Sequence, residues 1–431
     1  RQYKENVAHG YLSFNRKCRR STVPVTATQM WAIEKTRRAI DCINLRGGVM
    51  PINCGKEQSM NPCTLISVVV FSLCISVAMG QSPSPRISSI PTGLKPVDAE
   101  HRILTGWGGG KAEEVVPKAA EIGFSELVVY PEDTANFTKF IELGKQHGID
   151  IYAWLCLNDF GAWGNAFPNT DLPLQVMSPA EQEALKRIQA DKTHGRSRYQ
   201  CGGEPVNEIE VLEGPLICFH DPRVIEAFKK RIDGILSIPG VKGVALDYMG
   251  YCNYRCCYCQ TSKTQLAAFE KQHPELSSEE ALNPFSLETL VNFNNRLSAY
   301  IREVKPDARV ISHVYPVYLP EPLYGNRLDL DVCAQTAAWF FEPFWSTEKI
   351  TNYSRVISQK AKQYHDRPTG AALIGYFNLP DQWPVKSGQR LTDEIQAILD
   401  GGCSRVHVCS FNDVLNSQEA ADVFRTFFHR P

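Results

Sequence analysis

The residues best suited to chemistry in this sequence are carboxylates set among aromatic rings. Asp247 ends the otherwise apolar run Gly243-Val-Ala-Leu-Asp247, where nothing structural in the sequence asks for a charge. Glu342 follows Trp339-Phe-Phe and lies close to Phe344. Its neighbours Phe340, Phe341 and Phe344 would desolvate a carboxyl and favour its protonated form. Cleavage of a glycosidic bond needs such a pair, one carboxylate as nucleophile or charge stabiliser and one carboxylic acid to protonate the leaving oxygen. Asp159 and Glu321 are reserve carboxylates. Six of the seven tryptophans lie beyond Gln81, and flat rings suit the C–H faces of sugars. Trp107, Tyr130, Asn158, Asp159, Tyr248, His313, Tyr315, Gln335, Trp339 and Tyr376 are therefore the expected substrate contacts.

A second group is rich in sulfur. Cys252, Cys256, Cys257 and Cys259 fall within eight residues, just after Asp247. Disulfides to distant partners such as Cys201 and Cys218 are the first expectation for an exported chain. Adjacent Cys256 and Cys257 do not suit a bridge to each other. A structural zinc on the four clustered cysteines is the second reading, and thiol chemistry the third. No H-x-H or H-E-x-x-H pattern occurs, so no metal or other cofactor is expected in the chemistry itself.

These residues need a scaffold that brings distant parts of the chain together. Strand signals fall at 102–106, 126–130, 150–157, 242–247, 309–314, 331–337, 370–376 and 405–410. Helical signals lie between them, at 111–122, 134–147, 221–236, 347–364, 392–399 and 418–428, with two more stretches between strands four and five. Long excursions follow strands three and four. Eight alternating units predict a single (β/α)8 barrel over residues 100–431, which works at the C-terminal ends of its strands. The rival is an open, doubly wound sheet. The run Gly106-Trp107-Gly-Gly-Gly110 lacks the dinucleotide-binding spacing that would support it. In strand four the small face of Gly243, Ala245 and Asp247 suits a crowded lumen, and Val244, Leu246 and Tyr248 suit packing on helices.

Charge and the N-terminal region narrow the function classes. Residues 1–80 hold 11 Lys and Arg against 4 Asp and Glu, which leaves 35 against 43 in the remainder. An acidic domain does not suit a polyanion, so no nucleic-acid partner is expected. Met60-Asn-Pro-Cys precedes an apolar run from Leu65 to Met79 that ends Ala78-Met79-Gly80. Small residues at those spacings read as a secretory signal over 60–80, cut before Gln81, with residues 1–59 extraneous to the fold and a Ser/Pro-rich linker over 81–99. The expected location is secreted or periplasmic, with no membrane span in the mature part.

Three stretches carry a family likeness. Gly240-Val-Lys-Gly-Val-Ala-Leu-Asp247-Tyr-Met-Gly-Tyr251 resembles the fourth strand of bacterial glycoside-hydrolase-like TIM-barrel proteins, which centres on Leu-Asp-Tyr. Gly148-Ile-Asp-Ile-Tyr-Ala-Trp154 is similar to their third strand, and Leu330-Asp-Val-Cys-Ala-Gln335 to their sixth. Position 250 is Gly where that family often has Arg. The cysteine-rich segment is similar to loops of some β-galactosidase-like barrels, with Ser262 where a further cysteine would be expected. The likeness implies carbohydrate hydrolysis. A non-catalytic carbohydrate-binding barrel is the alternative.

Overall fold

The computed structural model describes residues 97–156, 171–190, 216–315, 321, 323–340, 344–380 and 384–429. Contacts divide the chain into a unit over Arg1–Arg86 and one over Ile87–Pro431, and every described residue belongs to the second. The signal, the upstream segment and most of the linker expected from the sequence lie outside the described residues.

Eight parallel strands close on themselves: β1 (Ile103–Gly108), β2 (Glu126–Val129), β3 (Asp150–Cys156), β4 (Gly243–Asp247), β5 (Arg309–Val314), β6 (Val332–Ala338), β7 (Thr369–Gly375) and β8 (Arg405–Cys409). Each pairs with the next, and β1 pairs with β8 to complete the ring. The helices are α1 (Ala112–Ile122), α2 (Thr134–His147), α3 (Pro179–Ala190), α4 (Pro222–Leu236), α5 (Gln260–Gln272), α6 (Ser278–Val304), α7 (Thr347–Lys360), α8 (Gly388–Asp400), α9 (Phe411–Leu415) and α10 (Gln418–Phe428). The expected barrel is thus the observed one. The differences are local: α9 lies where no helix was expected, and α7 stops four residues short of its expected end. α3 lies inside the first excursion, where no helix was expected, and α8 begins four residues before the expected start because Ser387 caps it through the Arg390 N–H. None of the helices among the described residues is long and apolar enough to cross a membrane.

The period of two along each strand divides the interior into two layers. Val128, Tyr152, Trp154, Ala245, Ile311, Val332, Ala334, Ala371 and Leu373 fill the lumen. Leu127, Ile151, Leu155, Val244, Leu246, Val310, Ile374, Val406 and Val408 face the helices instead. Gly243 is required where β4 meets β5, because a side chain there would run into the Arg309 carbonyl.

A charged clamp closes the N-terminal end of the lumen. Buried Glu126 accepts hydrogen bonds from Thr105 Oγ1 at 2.6 Å, Arg405 Nη1 at 2.9 Å and Arg309 Nη1 at 3.1 Å. Arg309 also donates to the Tyr152 hydroxyl at 3.1 Å. The clamp therefore joins β1, β2, β3, β5 and β8. Burial pushes the Glu126 carboxyl up, but the Arg405 charge and the hydrogen bonds outweigh it and hold the group below its usual range.

A carboxylate depressed on folding adds stability above its unfolded value of about 4.3, and that contribution fades as pH falls through the folded value. Glu126→Gln should cost about 3–5 kcal/mol at pH 7, read from urea unfolding, because it leaves buried guanidinium charge unpaired. The gap from the parent protein should narrow below about pH 4. Equal stability at pH 7 would show that the clamp is dispensable.

Candidate functional site

At the other end of the lumen the strand period brings Trp107, Tyr130, Trp154, Asp247, His313 and Thr336 to the mouth. Asp247 ends β4 and is 5% exposed. Its Oδ1 accepts from the Tyr248 backbone N–H at 2.8 Å and from His313 Nδ1 at 3.0 Å. Its Oδ2 accepts from Trp154 Nε1 at 3.1 Å. Since Nδ1 donates to the carboxylate, His313 Nε2 in the neutral ring accepts the Thr336 hydroxyl proton, across 2.6 Å. Three strands and a turn thus orient one carboxylate.

Tyr248 departs from the expected alternation. Its φ is +53°, in the left-handed region, so the chain turns straight after Asp247. The turn aims the Tyr248 N–H at the Asp247 carboxylate and packs the Tyr248 ring against the lumen cluster, not against the helices.

The rings form a wall around Asp247. Tyr130 stacks on Trp154 with centroids 4.4 Å apart, and Trp107 meets Trp154 edge-on at 5.3 Å. Trp107 is fixed from below by a hydrogen bond from its Nε1 to His407 Nδ1 at 3.0 Å. Burial drives His407 down to about 3, so its ring is the neutral acceptor this bond needs. Burial, then the fields of Cys156 and Asp247, hold the Tyr130 phenol well above its usual value and therefore neutral. Trp339 packs against the lumen cluster from the end of β6. Gly375 at the end of β7 leaves room for it, since a Cβ there would meet the Trp339 ring.

The remaining expected residues fall elsewhere. Gln335 faces out of the lumen and donates to Asn326 Oδ1 at 3.0 Å; its neighbour Thr336 is the inward one. Tyr376 is buried in the strand–helix layer, one position past the inward register of β7. Tyr315 lies 5.5 Å from the Tyr254 ring in the loop after β4. Glu321 is tied to Arg327 Nε at 2.7 Å. Asn158, Asp159 and Glu342 lie outside the described residues, as do Trp163, Trp383 and Cys201. His407 and Thr336 were not anticipated, although strict alternation along β8 and β6 points both inward. Asp413, at the turn after β8, is raised by burial but occupied by Ser410 Oγ at 2.7 Å and the Asn378 N–H at 3.1 Å.

The nine described cysteines are thiols, not the disulfides expected. They also regroup the expected zinc set. Cys252 and Cys256 are buried apart, with their thiols pushed up by burial to about 12 and about 11. Cys218, from the excursion before α4, joins Cys257 and Cys259 instead. Its Sγ lies 3.6 Å from Cys257 Sγ and 3.5 Å from Cys259 Sγ, and Ser262 Oγ is 3.2 Å from Cys259 Sγ. The Val176 N–H points at Cys257 Sγ, and a hydrogen bond from Cys218 favours the Cys257 thiolate. Three sulfurs whose ligand atoms lie within 4.8 Å of one another could supply three of the ligands of a thiophilic ion such as zinc. Such an ion would hold the loop beside Asp247 in place. Gln175 does so independently, donating to the Gly250 carbonyl at 2.9 Å and accepting from the Cys252 N–H at 2.8 Å.

By sequence, neither a protein family nor a curated protein matches the chain. Its fold is matched by solved glycoside hydrolases. The glycoside hydrolase domain of PgaB (BpsB) from Bordetella bronchiseptica aligns with a TM-score of 0.51 at 9% identity, over 77% of this chain and 99% of that one. A β-galactosidase from Halorubrum lacusprofundi gives a TM-score of 0.47 at 14% identity, over 75% of this chain and 58% of its own. The endo-β-1,4-mannanase of Thermotoga petrophila gives 0.42 at 12%, over 76% of each chain. The chain spans little more than half of that β-galactosidase. At 9% identity the likeness to the PgaB domain shows the fold alone.

Adding Co(II) to the reduced protein should produce a thiolate-to-cobalt charge-transfer band that Cys252→Ala keeps and Cys257→Ala loses. Zinc at a hundredfold excess over its Kd should stabilise the fold by about 2.7 kcal/mol. A band of equal strength in Cys257→Ala would place the ion elsewhere.

Proposed function

We propose that this chain is an exported glycoside hydrolase that cleaves a polysaccharide or glycoconjugate at the mouth of the barrel. The observation that carries the reading is Asp247, oriented by three donors at the C-terminal end of the barrel lumen, beside the aromatic cluster of Trp107, Tyr130, Trp154 and Trp339. Aromatic walls supply stacking surface for sugar rings, and a preorganised carboxylate suits the positive charge that develops at the anomeric carbon. The barrel likeness to glycoside hydrolases supports the same class.

In this mechanism Asp247 faces the anomeric carbon and either bonds to it or stabilises its oxocarbenium character. Glu342 gives its proton to the glycosidic oxygen as that C–O bond breaks. Water then completes hydrolysis, delivering its hydroxyl to the anomeric carbon and its proton to a carboxylate. Export rests on the signal-like run that ends at Gly80.

Release of reducing ends from a panel of plant and bacterial polysaccharides tests the reading. Asp247→Asn should lower kcat by at least about 10²-fold, and Glu342→Gln by about 10²–10⁴-fold. Both variants should still bind the glycan. Binding with no turnover by the parent protein across the panel would mark a carbohydrate-binding barrel and overturn the hydrolase reading.

A further inference from the structure

The most completely buried ion pair among the described residues lies outside the floor clamp and outside the mouth. Lys386 and Glu394 are both fully buried, with Lys386 Nζ 2.7 Å from Glu394 Oε2. Arg390 Nε reaches the other carboxylate oxygen at 2.7 Å. Glu394 therefore bridges two cations, one just before α8 and one on its first turn.

Each cation spends a second hydrogen bond on the same neighbouring segment. Lys386 Nζ donates to the carbonyl of Ala338, the last residue of β6, at 2.8 Å. Arg390 Nη2 donates to the carbonyl of Trp345, just before the Ser346 cap of α7, at 2.7 Å. The rings at the two ends of the segment join in. Lys386 Nζ lies 5.1 Å from the Phe340 centroid and 5.5 Å from that of Phe344, and the Arg390 guanidinium lies 5.1 Å from Phe344. One carboxylate thus holds both ends of the connection from β6 to α7, and Trp339 stands at its start. The anchor is itself fixed, since the Gly388 N–H at the head of α8 donates to Glu419 of α10 at 2.7 Å.

Stability alone does not account for this arrangement. Burying an ammonium and a carboxylate costs solvation that their attraction only partly returns, and apolar side chains of similar volume commonly serve stability as well or better. Apolar side chains could not hold two carbonyls at fixed positions.

We propose that Lys386, Glu394 and Arg390 are positioning residues that hold the two described ends of the β6–α7 connection, at Ala338–Phe340 and Phe344–Trp345, so that Trp339 stands as one wall of the sugar-binding mouth. This rests on the hydrolase reading for its functional consequence but not for its structural one. The expected ligand of the positioned wall is a sugar ring of a glycan chain, stacked on Trp339.

The test compares the parent protein with Lys386→Met/Glu394→Leu, which removes both buried charges together. The double variant should unfold cooperatively within a few degrees of the parent Tm. Amide hydrogens of peptides spanning residues 338–346 should exchange at least about tenfold faster, while those of β2 and β3 stay unchanged. On the polysaccharide that the parent cleaves, kcat/KM should fall several-fold, with KM raised by the displaced Trp339 and kcat lowered because Glu342 lies in the same connection. Exchange unchanged at a preserved Tm overturns the proposal. Should the double variant fail to fold, Glu394→Gln, which keeps the shape and weakens both ion pairs, carries the same exchange comparison, and unchanged exchange there overturns the proposal equally. If the parent cleaves no glycan, the hydrolase reading fails, and the exchange result alone decides the positioning role.

Discussion

Closing eight strands into a ring forces every second residue of every strand into one narrow lumen, and much of the rest of the structure follows from how that lumen is filled. At its N-terminal end the sequence supplies Glu126, Arg309 and Arg405, three charges that would be costly apart. Together they satisfy one another and tie five strands. Above them come apolar side chains and a neutral His407. At the open end the filling changes to tryptophan, tyrosine and one carboxylate. The filling thus runs from a locked ionic floor to an aromatic mouth that holds one oriented carboxylate.

The mouth shows how much support one carboxylate receives. Trp154 and His313 bind Asp247 directly. Thr336 holds the far nitrogen of the His313 ring, and His407 sets the orientation of Trp107, which packs edge-on against Trp154. The loop that leaves Asp247 is fastened by Gln175 and lies next to the cluster of Cys218, Cys257 and Cys259. These contacts come from β1, β3, β5, β6 and β8, so the site depends on closure of the whole ring. Fixing first-contact groups by a second layer is the arrangement expected of a site whose geometry matters.

Much of this was legible in the sequence, because the barrel is written in a period of two. The alternation along β4 places Asp247 inward, and the strand ends offer Trp107, Tyr130 and His313 beside it, but Trp154, which donates to Asp247, is not among the expected contacts. Where the reading slipped, local backbone or distant sequence decided. Gln335 drew attention as a sugar-binding amide, yet the register of Val332 and Ala334 gives the inward place to Thr336. Tyr376 failed by the same single step on β7. Alternation puts Tyr248 on the helix side because it cannot foresee a left-handed residue. The cysteine grouping was hidden for another reason. Cys218 is 39 positions from Cys257, and spacing within the cluster carries no sign that the excursion returns to it. The Lys386–Glu394 pair was invisible because a lysine two residues before a helix reads as solvent-exposed.

The central claim is that Asp247 and Glu342 act on one bond. The most direct measurement is a crystal structure of the Glu342→Gln protein with a bound oligosaccharide. The account predicts a sugar ring stacked on the mouth tryptophans, with its anomeric carbon facing Asp247 and the side chain of residue 342 on the glycosidic oxygen. It also predicts carboxyl groups about 5–5.5 Å apart for retention or about 6.5–9.5 Å apart for inversion. A separation beyond about 12 Å, or a sugar bound away from Asp247, would contradict it.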